Sequence, residues 1–205
     1  MFLCYTLTMF YIVGLGNPDN EYKDTRHNTG RIILDLIRKK FEFDDFEFDK
    51  KTNSQISEGK IGKEKVVLLK PETFMNKSGT AIKSLVTSKA KAKNLVVIYD
   101  DLDLPIGKIK ISFNRGTGGH KGVESIFKQV KTLEFIRFRI GISPQTSNGK
   151  TKKPSGEEKV MKFILGKFKE EEMKDLKKVG KIVAEALEVL IDKDLSQAMC
   201  LANQS

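Results

Sequence analysis

The stretch "FYIVGLGNPDNEYKDTRHNTGRIILDLIRKKF", Phe10 to Phe41, decides the fold. Its first six residues are almost wholly apolar, which predicts a buried strand. Its last thirteen place Ile32, Ile33, Leu36 and Ile37 on one side of an amphipathic helix. A buried strand, a polar loop and then a helix open an α/β unit.

The pattern continues along the chain. "KVVLLK" predicts a second buried strand, ended by Pro71, and "NLVVIYD" a third. "KIKISF" alternates like an edge or half-exposed strand, and "FIRFRIGIS" alternates again. "SGTAIKSLVTSK" and "GVESIFKQV" are helix candidates between them. Near the carboxyl end, Leu176, Val179, Val183, Ala186, Leu187 and Leu190 keep the spacing of a helix packed by one face. No internal repeat is visible. The expectation is one α/β domain over residues 9–205, with a twisted, mostly parallel (mixed) sheet flanked by helices. Between Ser143 and Glu158, "SPQTSNGKTKKPSGEE" reads as a mobile surface loop.

The opening residues are apolar but carry no Lys or Arg before Lys23, and the apolar run continues into the first strand. That is a poor signal peptide. Met9 stands directly before the strand, so residues 1–8 read as an extension or a misplaced start. No run reaches the roughly 18 apolar residues of a membrane span. Cys4 and Cys200 lie at opposite ends without a C-x-x-C, which points away from a metal site or disulfide framework. Lys and Arg total 37 against 27 acids, a net charge of +10. Such an excess suits a polyanion, nucleic acid first, although a solvated lysine-rich surface gives the same count.

Four loops carry polar residues that a bare scaffold does not need. After the first strand, "GLGNPDNEYKDTRHNTG" offers Asn17, Tyr22, His27 and Asn28, where open α/β sheets bind ligands. Gly14 and Gly16 begin a dinucleotide fingerprint, but Asp19 stands where its third glycine belongs. In "KPETFMNKSG", Asn76 or Ser78 is a candidate helix cap. "DDLD" at Asp100, Asp101 and Asp103 lacks the glycine and glutamate of a calcium loop; a carboxylate orienting a histidine is the competing use. Glycines 116, 118, 119 and 122 precede a helix, as in a tight turn or an anion-facing loop. Neither a Walker motif nor a G-x-S-x-G elbow is present.

Taken in order, "VGLGNP…Y…TRHNTG", "KPETFMNKSG", "DDLDLPIG", "GTGGHKG" and "FIRFRIGIS" resemble the bacterial-type peptidyl-tRNA hydrolase family. The resemblance runs from about residue 10 to 142, and "VMKFILGKF" extends it. It implies hydrolysis of the ester joining a peptide to the 3′-terminal ribose of tRNA, without metal or cofactor, by a cytoplasmic monomer. It implies His27 as the base, Asp100 as the acid that holds and polarises it, and Asn76 against the water and the peptide carbonyl. Asn17 would separate peptidyl-tRNA from aminoacyl-tRNA, and Tyr22 and Phe74 would flank the substrate end. His120 and Lys121 fall among the substrate contacts, and Arg139 at a position that holds tRNA phosphate.

Two departures stand out. "GGHKG" puts Lys121 where the family usually has asparagine, replacing a donor and acceptor by a donor alone. "GNPD" replaces "GNPG", which should stiffen the turn at Asp19. The lysine often paired with the phosphate-binding arginine falls near Ser112, so Lys110 or Arg115 would substitute, with Lys150, Lys152 and Lys153 adding backbone contacts. The rival readings are a non-catalytic RNA-binding protein on the same scaffold and a small-molecule esterase.

Overall fold

The computed structural model describes residues 9–146, 148 and 151–204; the expected extension at residues 1–8 lies outside them. The chain runs β1 (Met9–Gly14), α1 (Thr29–Lys40), β2 (Glu47–Asp49), β3 (Ser54–Ile61) and β4 (Glu64–Pro71). Short helices α2 (Gly79–Ile82) and α3 (Lys89–Ala92) follow, then β5 (Leu95–Pro105) and β6 (Ile109–Phe113). The rest is α4 (Lys121–Val130), β7 (Ile136–Ser143), α5 (Glu157–Ile164), α6 (Glu170–Asp192) and α7 (Leu195–Asn203).

These strands form one mixed sheet in the order β2-β3-β4-β1-β5-β7-β6. Its four central strands, β4, β1, β5 and β7, are parallel. β2, β3 and β6 pair antiparallel at the margins. Ile33, Leu34 and Ile37 of α1 pack on one face with Leu176, Val179 and Val183 of α6. On the other face Ile82, Val123 and Ile126 cover Val13, Leu69 and Val97.

One feature of this order positions everything else. From β1 the chain leaves toward β4; it then returns to β5 on the other side of β1 and continues to β6 and β7. The carboxyl ends of β1 and β5 are therefore the switch point where successive connections part, and a crevice forms there.

The structure revises several local expectations. Leu34, not Ile32 or Leu36, completes the fully buried face of α1; the latter two are partly buried against the same core. "SGTAIKSLVTSK" forms only the single turn of α2, whose Gly79 lies directly on the Ser125 carbonyl of α4. β7 is buried on both faces along most of its length, with Ile136, Phe138 and Ile140 in the core shared with α6 and α7. β6 is an outermost strand. β2 and β3 went unread because "EFD" and "SQISEGKI" are too polar to show an apolar alternation. The long helix buries all six residues expected of it. After β7 the chain doubles back through a Gln145–Thr151 bridge and a Lys152 N–H bond to the Pro144 carbonyl. Lys150 lies outside the described residues.

α1 meets the sheet at very short range. A Cβ on Gly30 would stand 2.3 Å from the Ile98 carbonyl oxygen and 2.4 Å from the Leu15 nitrogen, both backbone atoms. Gly30→Ala should therefore cost about 3 kcal/mol or more of stability in urea unfolding. A loss under about 1 kcal/mol would mean that α1 can ride off the sheet freely.

Candidate active site

The loop after β1 is built around two hydrogen-bonded brackets. Asn28 closes the first: its Oδ1 accepts from the Asn17 N–H at 2.8 Å and its Nδ2 donates to the Asn17 carbonyl at 3.0 Å. Arg26 closes the second. Its guanidinium donates to the carbonyls of Gly166 and Lys167 and to Glu172, and lies 4.6 Å and 5.5 Å from the Phe163 and Phe168 ring centres. The backbone adds a Thr25–Lys167 bridge. This stretch is thus held at one end by its own asparagine and at the other by the α5–α6 connection.

Between the brackets, His27 is 7 % exposed. Its Nδ1 lies 3.0 Å from each oxygen of Asp100, which sits near the middle of β5. The neighbouring Asp101 points the other way, where its Oδ2 accepts from Arg139 Nε at 2.6 Å. Alternation along the strand separates the two acids, so only one of them can serve the imidazole.

His120 reaches Asp100 from a third direction. Its Nε2 is 3.1 Å from Asp100 Oδ1, and its Nδ1 accepts from the Val123 N–H at 3.3 Å. An Nδ1 that accepts carries no proton, so the proton sits on Nε2 and is donated to Asp100. His27 likewise gives its Nδ1 proton to the carboxylate, which leaves its Nε2 lone pair free. Among the described residues nothing else bonds that nitrogen.

The titration behaviour follows from this arrangement. Burial works against the Asp100 charge, but the electrostatic attraction of the His27 and His120 rings and the hydrogen bonds they donate outweigh it, holding the carboxyl below its usual range. For His27, burial disfavours the imidazolium; the Asp100 charge and hydrogen bond together outweigh it and raise the pKa. Burial pushes the Tyr99 hydroxyl up to about 12, so it stays neutral beside them.

His27, Asp100 and His120 each bring a potential metal ligand within 4.8 Å of the others. The protons argue against that use. Both ring nitrogens that face Asp100 carry hydrogen, and the Val123 amide holds His120 in a tautomer whose Nε2 has no lone pair to offer. The cluster shares protons around one carboxylate.

A cleft of about 1340 Å³ opens over these groups, lined by Asn17, His27, Phe74, Asn76 and Asp100, with the glycine loop and α5 as further walls. Asn17 is fixed: its Oδ1 accepts from the Met75 N–H at 2.9 Å, which leaves only its NH₂ to act on a ligand. Asn76 is exposed and caps no helix; Ser78 instead donates back to the Met75 carbonyl. Phe74 is 55 % exposed at the rim. Lys121 and Arg139 also line the cleft, with Lys110 and Arg115.

Tyr22 is not among the lining residues. Its carbonyl accepts from the Thr25 N–H and hydroxyl, so it shapes the turn before His27. His120 also lines the cleft, half-buried, with both ring nitrogens engaged by protein partners. Gly118 and Gly119 take positive φ in the loop, whereas Gly122 is a packing glycine pressed on Met75 and Leu15. Asp19 has φ 75° and ψ 148°, a region that favours glycine; the substitution strains the turn more than it stiffens it. Sequence reading passed over Arg26 as an anchor. Its partner Glu172 is 146 positions away, and no local pattern links them.

The site therefore joins a buried, carboxylate-bonded imidazole to two carboxamides at a sheet switch point, an arrangement suited to a hydrolytic α/β enzyme. Comparison with known proteins gives the particular family. The family model described as peptidyl-tRNA hydrolase matches residues 11–205. The peptidyl-tRNA hydrolase of Thermodesulfovibrio yellowstonii is 36% identical over 96% of this chain and 100% of its own length. That of a Thermoanaerobacter species is 39% identical over 95% and 100%. The crystal structure of peptidyl-tRNA hydrolase from Acinetobacter baumannii superposes with a TM-score of 0.84 at 30% identity, covering 95% of this chain and 94% of that one. The chain belongs to the peptidyl-tRNA hydrolase family.

The Asp100 influence on the base can be read directly. Asp100→Asn removes the charge that raises the His27 pKa and leaves burial unopposed, so the midpoint should fall. NMR titration of the two imidazoles checks this; an unmoved midpoint would mean that the acid does not govern the base.

Proposed function

We propose that this chain hydrolyses the ester between a peptide and the 3′-terminal ribose of tRNA, releasing both. The observation that carries this reading is the His27 ring, held by Nδ1 to Asp100 with Nε2 open, in a cleft shared with Asn17 and Asn76.

His27 Nε2 takes a proton from water as the water oxygen attacks the ester carbonyl carbon. Asp100 stabilises the imidazolium that forms and keeps the ring in the one useful tautomer. The amide hydrogens of Asn17 and Asn76 donate to the carbonyl oxygens of the acyl group, where negative charge develops. The bond from carbon to ribose O3′ then breaks, and the imidazolium returns its proton to that oxygen. Free tRNA and a peptide carboxylate leave.

The Asn17 orientation supplies the selectivity. With its oxygen committed to Met75, only its donor faces substrate. A donor suits the carbonyl that acylates a peptidyl-tRNA; the free ammonium of an aminoacyl-tRNA would confront it with more donors. Phe74 offers an exposed ring for stacking at the substrate end. Tyr22, one turn before His27, supports the rim from outside the cleft.

Arg139, Lys110, Arg115 and Lys121 would meet phosphate at the mouth. Arg139 is half engaged by Asp101, which leaves other guanidinium hydrogens for an anion. Lys152 would extend the contact, while Lys153 is paired with Asp103. Because such contacts read phosphate and shape, many tRNAs should bind alike. Among the described residues no helix is long and apolar enough to cross a membrane. We place the enzyme in the cytoplasm as a monomer. A purely RNA-binding role would leave the oriented imidazole without a task.

The test is release of tRNA from N-acetyl-aminoacyl-tRNA and from unblocked aminoacyl-tRNA, both with EDTA present. Only the blocked substrate should be cleaved. His27→Ala should lower kcat/KM by about 10²–10⁴-fold with the far-ultraviolet spectrum kept; near-normal turnover would remove His27 from the mechanism. Binding of tRNA should weaken linearly on a log–log plot against salt, with a slope near 0.7–0.9 per phosphate contacted. A flat profile would contradict a phosphate-led interface.

A further inference from the structure

We infer that His120 is a positioning residue for the base: its Nε2–H, donated to Asp100, shares the carboxylate with His27 and limits how tightly the acid draws the His27 proton. This rests on the hydrolytic reading above, and it gives His120 a task inside the protein beside its place in the cleft wall.

The geometry is that of one acceptor with two donors. Asp100 is 3 % exposed, so its charge has no help from water and depends on the N–H groups aimed at it. His27 spans both oxygens at 3.0 Å, and His120 takes Oδ1 at 3.1 Å. Each donor reduces the electron density left for the other, so the second hydrogen bond weakens the pull of Asp100 on the imidazolium. Without it, the acid would hold the His27 proton more firmly, and more of the base would be protonated near neutrality.

His120 is built to do this. Its Nδ1 caps α4 through the Val123 amide, which fixes the tautomer. Gly122 lets the first turn of α4 close on Met75; a Cβ there would lie 2.5 Å from Met75 Sδ and 3.2 Å from His120 Cε1. The ring lies 4.8 Å, centre to centre, from Tyr99 and 5.2 Å from His27. The titratable and charged groups that face it are Asp100 and Tyr99 of β5, His27 of the preceding loop and Lys121 beside it. Tyr99 is neutral, and Lys121 is exposed at the cleft mouth, so the acid is the one charge that the ring bonds.

Two substitutions separate the two ring nitrogens. His120→Gln keeps a donor where Nε2 stood; His120→Asn keeps an acceptor where Nδ1 stood and loses the donor. The chain has two histidines, so either variant leaves His27 as the sole imidazole, and its Cε1–H titration by NMR is unambiguous. The expected result is a higher His27 midpoint in His120→Asn and a midpoint close to that of the unsubstituted protein in His120→Gln. In hydrolysis assays the acid limb of kcat/KM should move the same way, with a loss on the order of tenfold at acid pH for each unit moved. Unmoved midpoints in both variants would overturn the inference. So would a shift in His120→Gln alone, which would mark His120 as a helix cap only. If His120→Asn fails to fold, His120→Leu, which also removes the donor, takes its place: the same upward shift is expected, and an unmoved midpoint overturns the role. The NMR readout uses no substrate. An expected titration with no cleavage of N-acetyl-aminoacyl-tRNA would sink the reaction and leave this role standing.

Discussion

The charge on Asp100 is the constraint around which the rest of the site is arranged. A carboxylate at 3 % exposure in the middle of a parallel sheet loses nearly all hydration, a cost of several kcal/mol unless donors replace it. Two imidazole N–H groups do so, one arriving from the loop after β1 and one from the start of α4. Both segments must therefore be held accurately, and much of the local architecture is explained by that need. The same charge that is expensive to bury is what engages His27 Nδ1 and leaves the other ring nitrogen unbonded among the described residues.

Accuracy comes from anchoring at both ends of the His27 segment. Asn28 pins the Asn17 backbone reciprocally, and Arg26 clamps the segment to the α5–α6 connection through three acceptors and two aromatic rings. Gly30 allows α1 to touch the backbone of both β1 and β5, so the helix that follows cannot drift. The α4 side is handled likewise by Gly79 and Gly122, which bring that helix against α2 and Met75. Close backbone approach, more than side-chain bulk, sets the spacing between the two histidines and the acid. Because α5 also lines the cleft, the Arg26 clamp ties the His27 segment to a wall of that cleft.

Charge outside this centre is organised differently. Asp101 and Asp103, which could have repelled a polyanion at the mouth, are each neutralised by a neighbouring cation, Arg139 and Lys153. Lys110, Arg115 and Lys121 line the same cleft without an ion pair among the described residues. The net charge of +10 is thus not spread evenly in its consequences: at the cleft Asp101 and Asp103 are paired, while Lys110, Arg115 and Lys121 keep their charge unpaired among the described residues.

The amino-acid sequence by itself determined the α/β class, the central strands, the long carboxyl-terminal helix and the ordered motifs that carry His27, Asn76, Asp100 and the glycine loop. Those features depend on local periodicity and on residue types at short spacing, so they can be read in one dimension. It gave no hint of β2 and β3, whose polar residues pair only because β4 supplies an edge. It also left the His120 bond to Asp100 and the anchoring role of Arg26 unread, since their partners are 20 and 146 positions away. Which way the Asn17 amide points, where Asp101 finds its partner and how many donors Asp100 receives were decided by tertiary structure alone. The physical reason is that each depends on distances between atoms of different strands and helices, fixed when the sheet order brings β1, β5 and α4 to one point.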